Sequence, residues 1–436
     1  MPKSTSRMLY PVRYWLFVIY AVGVPGFLKF DPTGRVHEFG LFNPQSIASI
    51  VLTCCTALFF FCIATASRKA IIATPTAIDL KPFVALLAVL SIATLLSPKD
   101  DFAISFYRLG EWFLGFCLLL STYTRQPREQ RDSFAVSLMA QICWIDICIV
   151  WIFLLFYPSL AVNSPEELTG AIQIRLGGYV IHPNTLGVLA GIAFWHALLF
   201  LRGGRKLLAL VFTLSTLVLT YSRGAWLGFA ATVVLYILFS KKSAVRVLGI
   251  LATMLASVGA ILFSDKMIDF LGRGQGEKSL ATLSQRTEVW ALAAKMISQR
   301  PLLGYGYIDG VKVRLASISH LGNFFPPHVH NEFLQAWASG GILAALLIFL
   351  VYWRGLRQAF RLARGSVYRL FILFTLVQLF FYSLAGPIIT KSFVQVGALL
   401  LICFLTSADG YWRMAGSQPP SRASIDANHR ADQVTI

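Results

Sequence analysis

The chain has 436 residues, of which 56% are hydrophobic and only 13% charged, and its mean hydropathy is +0.67. That balance excludes a soluble globule, which could not cover its surface with so few charges, and specifies an all-α polytopic integral membrane protein. The formal net charge of +18 is distributed as membrane topology requires, so it calls for no nucleic acid and for no polyanion beyond anionic lipid headgroups.

Apolar runs of roughly 17–24 residues suit about 30 Å of hydrocarbon. Twelve spans are expected, near 14–28, 46–66, 83–98, 104–122, 134–157, 183–201, 206–221, 224–240, 245–264, 336–353, 368–387 and 391–408. Alternate connections collect Lys and Arg: Lys3, Arg7 and Arg13; Arg68, Lys69 and Lys81; Arg125, Arg128 and Arg131; Arg202, Arg205 and Lys206; Lys241, Lys242 and Arg246; Arg354 to Arg369. Those connections are cytoplasmic by the positive-inside rule. The even count then places both termini in the cytoplasm and the 265–335 loop outside.

The expected organisation is nine spans over 1–264, the loop over 265–335, three more spans over 336–408, and a disordered Ser/Arg/Ala-rich cytoplasmic tail over 409–436. The first apolar run, Tyr14 to Leu28, contains Pro25 and lacks a cleavage pattern, so it reads as a retained span. All seven cysteines fall inside spans, where the thiol packs as a small hydrophobe. Within the spans, Arg108 and Glu111 sit three residues apart on one helical face, a spacing that favours a structural ion pair over a proton relay, and Asp146 lies inside span five.

The loop carries its own pattern. Val289, Leu292, Ala293, Met296 and Ile297 follow helical spacing between Leu283 and Gln299, with Thr282 or Ser284 as a cap and Pro301 as the stop. Gly304-Tyr305-Gly306 supplies a turn, and a second helix should begin near Pro327 and run into the tenth span. Arg286 and His330 then occupy the first turns of two external helices, where free backbone N–H groups favour a phosphate.

Arg175, before His182-Pro183-Asn184, and Arg223, at the break between spans seven and eight, face the same side. Each arginine has a plain alternative as a headgroup, backbone or surface partner. Three on one face favour a shared anion site. His330 is either a structural hydrogen-bond partner or a proton acceptor, with His328 its competitor and His320 on the loop surface. Walker A, His-Glu-x-x-His and Asp-x-Asp sequences are missing, so nucleotide hydrolysis and a tight metal site lack support.

The order Arg175, Gly178, His182-Pro183-Asn184; Ser222-Arg223-Gly224; Ser284, Arg286, Trp290; Pro301-Leu-Leu-Gly-Tyr-Gly306; and His330-Asn331 with Leu334, Gln335 and Gly340-Gly341 resembles the O-antigen ligase/polymerase superfamily. Within it the chain looks most like the lipopolysaccharide O-antigen ligases of Gram-negative bacteria. The resemblance implies an inverting, metal-independent glycosyltransferase of GT-C-like fold, without cofactors, at the periplasmic face of the inner membrane. Donor would be O-antigen on undecaprenyl pyrophosphate and acceptor the outer-core sugar of lipid A–core, with the enzyme a monomer among membrane lipids.

Carried over, His330, Arg286 and Arg175 would be catalytic. Arg223, Asn331, Glu332, His328 and Tyr305 would be substrate-binding. The alternatives are an O-antigen polymerase or a protein O-oligosaccharyltransferase of the same superfamily, or a transporter or flippase. Against the last, the two halves show no hydropathy repeat.

Overall fold

The computed structural model describes residues 14–23, 44–66, 81–97, 102–162, 175–247, 249, 251, 286–318, 328–391 and 393–416. These residues are helical and contain no strand. In chain order the helices are α1 (14–22), α2 (Pro44–Ala66), α3 (Lys81–Leu95), α4 (Phe102–Tyr123), α5 (Arg131–Phe156), the short α6 (Pro158–Val162), α7 (Pro183–Phe200), α8 (Gly203–Leu219), α9 (Arg223–Phe239), α10 (Arg286–Gln299), α11 (Asp309–Ile318), α12 (Glu332–Leu362), α13 (Val367–Ser383) and α14 (Gln395–Gly416).

Eleven of the twelve expected spans coincide with a helix; the ninth, 245–264, and the 409–436 tail lie largely outside the described residues. Length and composition qualify four helices to cross a membrane, at Ile104–Tyr123, Arg128–Phe156, Pro183–Phe200 and Glu332–Leu362. Shorter apolar helices join them at Ile47–Phe59, Lys81–Leu95, Arg223–Phe239, Val367–Ser383 and Gln395–Asp409. The molecule is therefore a helical membrane protein.

Its core is built around α7, which packs on α5, α8, α9 and α13. Trp195 of α7 is buried against Phe229, Tyr236 and Phe374 and donates Nε1–H to Thr232. A ring that size packs inside hydrocarbon without cost because its single polar atom has a partner. The outward faces are equally apolar: Leu207, Leu208, Val211, Leu214 and Val218 form an exposed stripe along α8, the surface that lipid would cover.

At one end the bundle is closed by ion pairs between helices. Arg131 meets Asp409 at 2.8 Å, Arg369 meets Asp132 at 2.5 Å, and Tyr123 donates to Asp409. The Arg108–Glu111 pair on α4 forms at 2.8 Å, as its spacing predicts, and Ser49 of α2 also donates to Glu111. That pair is structural. Cys54, Cys55, Cys117, Cys143, Cys148 and Cys403 are free thiols.

The other end carries the loop. Helix α10 matches the predicted amphipathic helix, burying Val289, Ala293, Met296 and Ile297. Helix α11 was not expected from the sequence, which gives a turn and no further helix before Pro327. Its Val311 and Leu315 join α10, Tyr305, Val329 and Ala338 in a second core separate from that of the bundle. The proposed caps Thr282 and Ser284, and His320, lie outside the described residues.

Helix α12 runs unbroken from the loop into the bundle except at Gly340 and Gly341, where the backbone leaves helical geometry and Gly341 takes φ 71°. The Pro301–Gly306 turn is wedged into that break. Tyr305 and Gly306 donate their N–H groups to Ala338 and Ser339, Ile342 donates to Pro301, and so does the Trp337 indole. A side chain at Gly341 would begin 1.9 Å from the Leu302 carbonyl oxygen. The two glycine motifs are halves of one joint, in which the turn satisfies the polar groups that the kink exposes.

Candidate active site

Four helices begin at the loop end around one point: α7, α9, α10 and α12. The entries of α7, α9 and α12 are each shaped by a cap or a strained turn. His182 caps α7 by accepting from Asn184 N–H, and Ser222 caps α9 by accepting from Ala225 N–H. Tyr221 and His330, the residues just before the Ser222 and Asn331 caps, both take left-handed φ values of 47° and 57°. Side chains other than glycine adopt that conformation at a cost, and such turns concentrate where a functional group must be aimed.

The three arginines singled out in the sequence come together. Arg223 is the first residue of α9, Arg286 the first of α10, and the charges of Arg175 and Arg286 both act on Arg223. Arg175 is buried, and its guanidinium bridges two helix entries: Nε donates to Thr220 O at 2.9 Å and Nη2 to Asn184 Oδ1 at 2.8 Å. Its backbone neighbours tie the same corner, Leu176 N to Leu219 O and Gly177 N to Ala161 O. Gly177 takes φ 121°, and a Cβ there would lie 2.5 Å from Ile181 O. Arg175 thus fixes the turn that presents Arg223, while Arg223 and Arg286 remain only half-buried.

The histidines form the second half of the site. The His328 and His330 rings are in contact, with centroids 4.1 Å apart and planes tilted by 41°. Buried Val329, between them, donates its N–H to Gln335 Oε1 at 2.8 Å, which pins the turn to α12. Crowding by protein pushes the His328 imidazole well below its ordinary pKa, and the positive fields of His330, Lys391, His182 and Arg286 push it in the same direction. His328 is therefore a neutral ring near pH 7.

Arg286 is common to both groups, acting on Arg223 and on His328. Two residues that sequence reasoning did not assign to the site, Lys391 and His182, also act on His328. Lys391 was placed at the edge of span twelve. A signal was available, because a lone lysine in an external turn runs against the positive-inside pattern.

Three expected substrate-binding residues have other work. Asn331 Oδ1 caps α12 by accepting from Phe333 and Leu334 N–H. Glu332 is fully buried, and its carboxylate accepts from Ile388 N, Ile389 N, Thr390 N and Thr390 Oγ1. Tyr305 lies in the loop core, where its hydroxyl donates to Met296 O or Gln299 Oε1 and its ring faces Arg300 and Arg314. In this structure the three side chains thus hold the start of α12, the 388–390 turn and the loop core. Among the described residues no three His, Cys, Asp or Glu side chains are grouped to hold a metal ion.

The class so defined is a helical membrane protein whose loop end gathers cationic and imidazole side chains at helix starts. Residues 208–349 match the family described as O-Antigen ligase. The chain is 25% identical over 255 residues to a Rickettsia felis protein provisionally named a polysaccharide ligase, covering 53% of this chain and 60% of that one. It is 26% identical over 261 residues to a Rickettsia conorii protein of the same provisional name, covering 56% and 59%. To the ComP-specific O-oligosaccharyltransferase of Acinetobacter baylyi it is 27% identical over 273 residues, covering 58% and 47%. The chain spans 47 to 60% of the length of these curated relatives. What the comparisons establish is similarity to the O-antigen ligase family over residues 208–349.

Proposed function

We propose that this protein transfers O-antigen polysaccharide from undecaprenyl pyrophosphate to the outer-core sugar of lipid A–core, with inversion and without a metal ion, at the periplasmic face of the inner membrane. The observation that carries this reading is the convergence of Arg175, Arg223 and Arg286 with the His328–His330 pair at the starts of four helices. A diphosphate needs such donors, and fixed cations at helix N-termini stabilise the charge that grows as it leaves. The periplasmic placement rests on the bias of Lys and Arg to the opposite connections.

In the reaction the acceptor hydroxyl oxygen forms a bond to the anomeric carbon while the carbon–oxygen bond to the diphosphate breaks. The bonding electrons leave with undecaprenyl pyrophosphate, and the hydroxyl proton passes to His330. Arg223 and Arg286 hold the diphosphate. Arg175 adds its field and keeps the Arg223 turn in place. Contact with the neutral His328 ring limits the orientations open to His330.

The similarity to a protein oligosaccharyltransferase keeps a second acceptor in view, a hydroxyl on a protein. Reconstituted protein given undecaprenyl-pyrophosphate-linked glycan, lipid A–core and a chelator should shift the acceptor on a gel. Lengthening of the donor or glycosylation of an added acceptor protein, with lipid A–core untouched, would replace the ligase reading with one of its relatives. No glycan transfer at all would end it.

A further inference from the structure

The turn between α13 and α14 carries one charge, on Lys391, and almost every polar group around it is committed to holding it still. Glu332 accepts three consecutive backbone N–H groups, from Ile388 to Thr390, and the Thr390 hydroxyl. From the far side, Tyr307 OH reaches the carbonyl oxygens of Ile389 and Lys391, each at 2.7 Å, and Trp112 Nε1–H donates to Lys391 O at 2.7 Å. Tyr307 is itself anchored, its N–H donating to Thr94 Oγ1 and its carbonyl accepting from Ser105. Burying a carboxylate is expensive, and a structural turn could be closed by neutral groups. Here the expense fixes the backbone on both sides of a single lysine whose side chain is only half-buried and whose charge acts on His328.

We propose that Lys391 is a further donor-binding residue, whose ammonium holds the diphosphate beside the imidazole pair, and that Glu332 is the positioning residue that locks its turn. This rests on the ligase reading above and deepens it. Arg286 acts on Arg223, as Arg175 does, and on His328, as Lys391 does, so the two cationic groups share one member. That is the form of a site for two linked phosphoryl groups rather than one. One phosphoryl lies between Arg223 and Arg286, and the other between Arg286 and Lys391. Lysine suits the second group because a compact ammonium follows a phosphate whose charge grows as the sugar leaves.

The test is direct binding of undecaprenyl pyrophosphate and undecaprenyl monophosphate to the full chain in lipid nanodiscs, across a range of salt. Lys391→Met should weaken diphosphate binding about tenfold or more, the scale of one charge-assisted hydrogen bond. It should also flatten the salt dependence and narrow the preference for diphosphate over monophosphate. Lys391→Arg should recover part of the affinity, and Lys295→Met, at an exposed position of α10, should match wild type. Glu332→Gln keeps an acceptor for part of the turn and should weaken binding by several-fold without altering the salt slope. A folded Lys391→Met that binds diphosphate with wild-type affinity and salt slope overturns the Lys391 assignment alone. Wild type that binds neither lipid overturns the ligase reading as well.

Discussion

At the end of the bundle away from the loop, Arg131 and Arg369 each meet an aspartate from another helix, Asp409 and Asp132. At the loop end Arg223 lies in the fields of Arg175 and Arg286, and His328 in those of Arg286, Lys391, His182 and His330. Glu332, two residues after His330, spends its oxygens on the 388–390 turn. The same residue type therefore closes the fold at one end and accumulates like charge at the other. Cations gathered at rigid helix entries repel one another, and such clusters are characteristic of anion-binding sites.

The comparison can be broken at either end. The largest expected effect is at the loop end: His330→Ala should slow transfer by about 10²- to 10⁴-fold, the usual worth of a positioned general base. Near-normal turnover by a natively folded variant would remove the base role. Arg369→Met should instead destabilise the protein by roughly 1.5–3 kcal/mol, since it strands Asp132 and the Thr406 carbonyl. Once folded, that variant should keep its turnover, and thermal unfolding in detergent separates the two quantities.

A smaller effect follows from His328. Its folded-state pKa lies well below the unfolded value of about 6.5. Below that pH the unfolded chain takes up a proton that the folded chain refuses, so stability is full above about 6.5 and declines as pH falls toward the depressed value. His328→Gln should remove that decline. Melting curves at pH 7.5 and 5.5 should show wild type losing more than the variant, and equal losses would mean that His328 titrates normally in the fold.

Much of this organisation is legible in the sequence because hydrocarbon imposes it locally. Apolar run length locates helices such as α5 and α7, and periodicity locates the buried face of α10. The three arginines could be grouped from topology alone, since Arg223 and Arg286 sit at helix starts and Arg175 in the turn before α7, all on one side. What escaped depends on contacts across long stretches of chain. Glu332 reads as a site carboxylate until the 388–390 turn, 56 to 58 residues on, is seen to occupy it. Lys391 reads as the edge of a span until Trp112 and Tyr307 are seen to hold its carbonyl. Tyr305 sits in a motif shared with a catalytic family, yet its work is to fasten the loop core to the Gly340–Gly341 break of α12.

The most direct test places one arginine from each end side by side. Arg286→Ala and Arg369→Met would be reconstituted at equal folded amounts and assayed for transfer of lipid-linked glycan under single-turnover conditions. The account predicts a loss of about 10²- to 10³-fold for Arg286→Ala, as when one transition-state donor is removed, and wild-type turnover for Arg369→Met. Equal turnover in the two folded variants would contradict it, because the loop-end cations would then be structural like those at the opposite end.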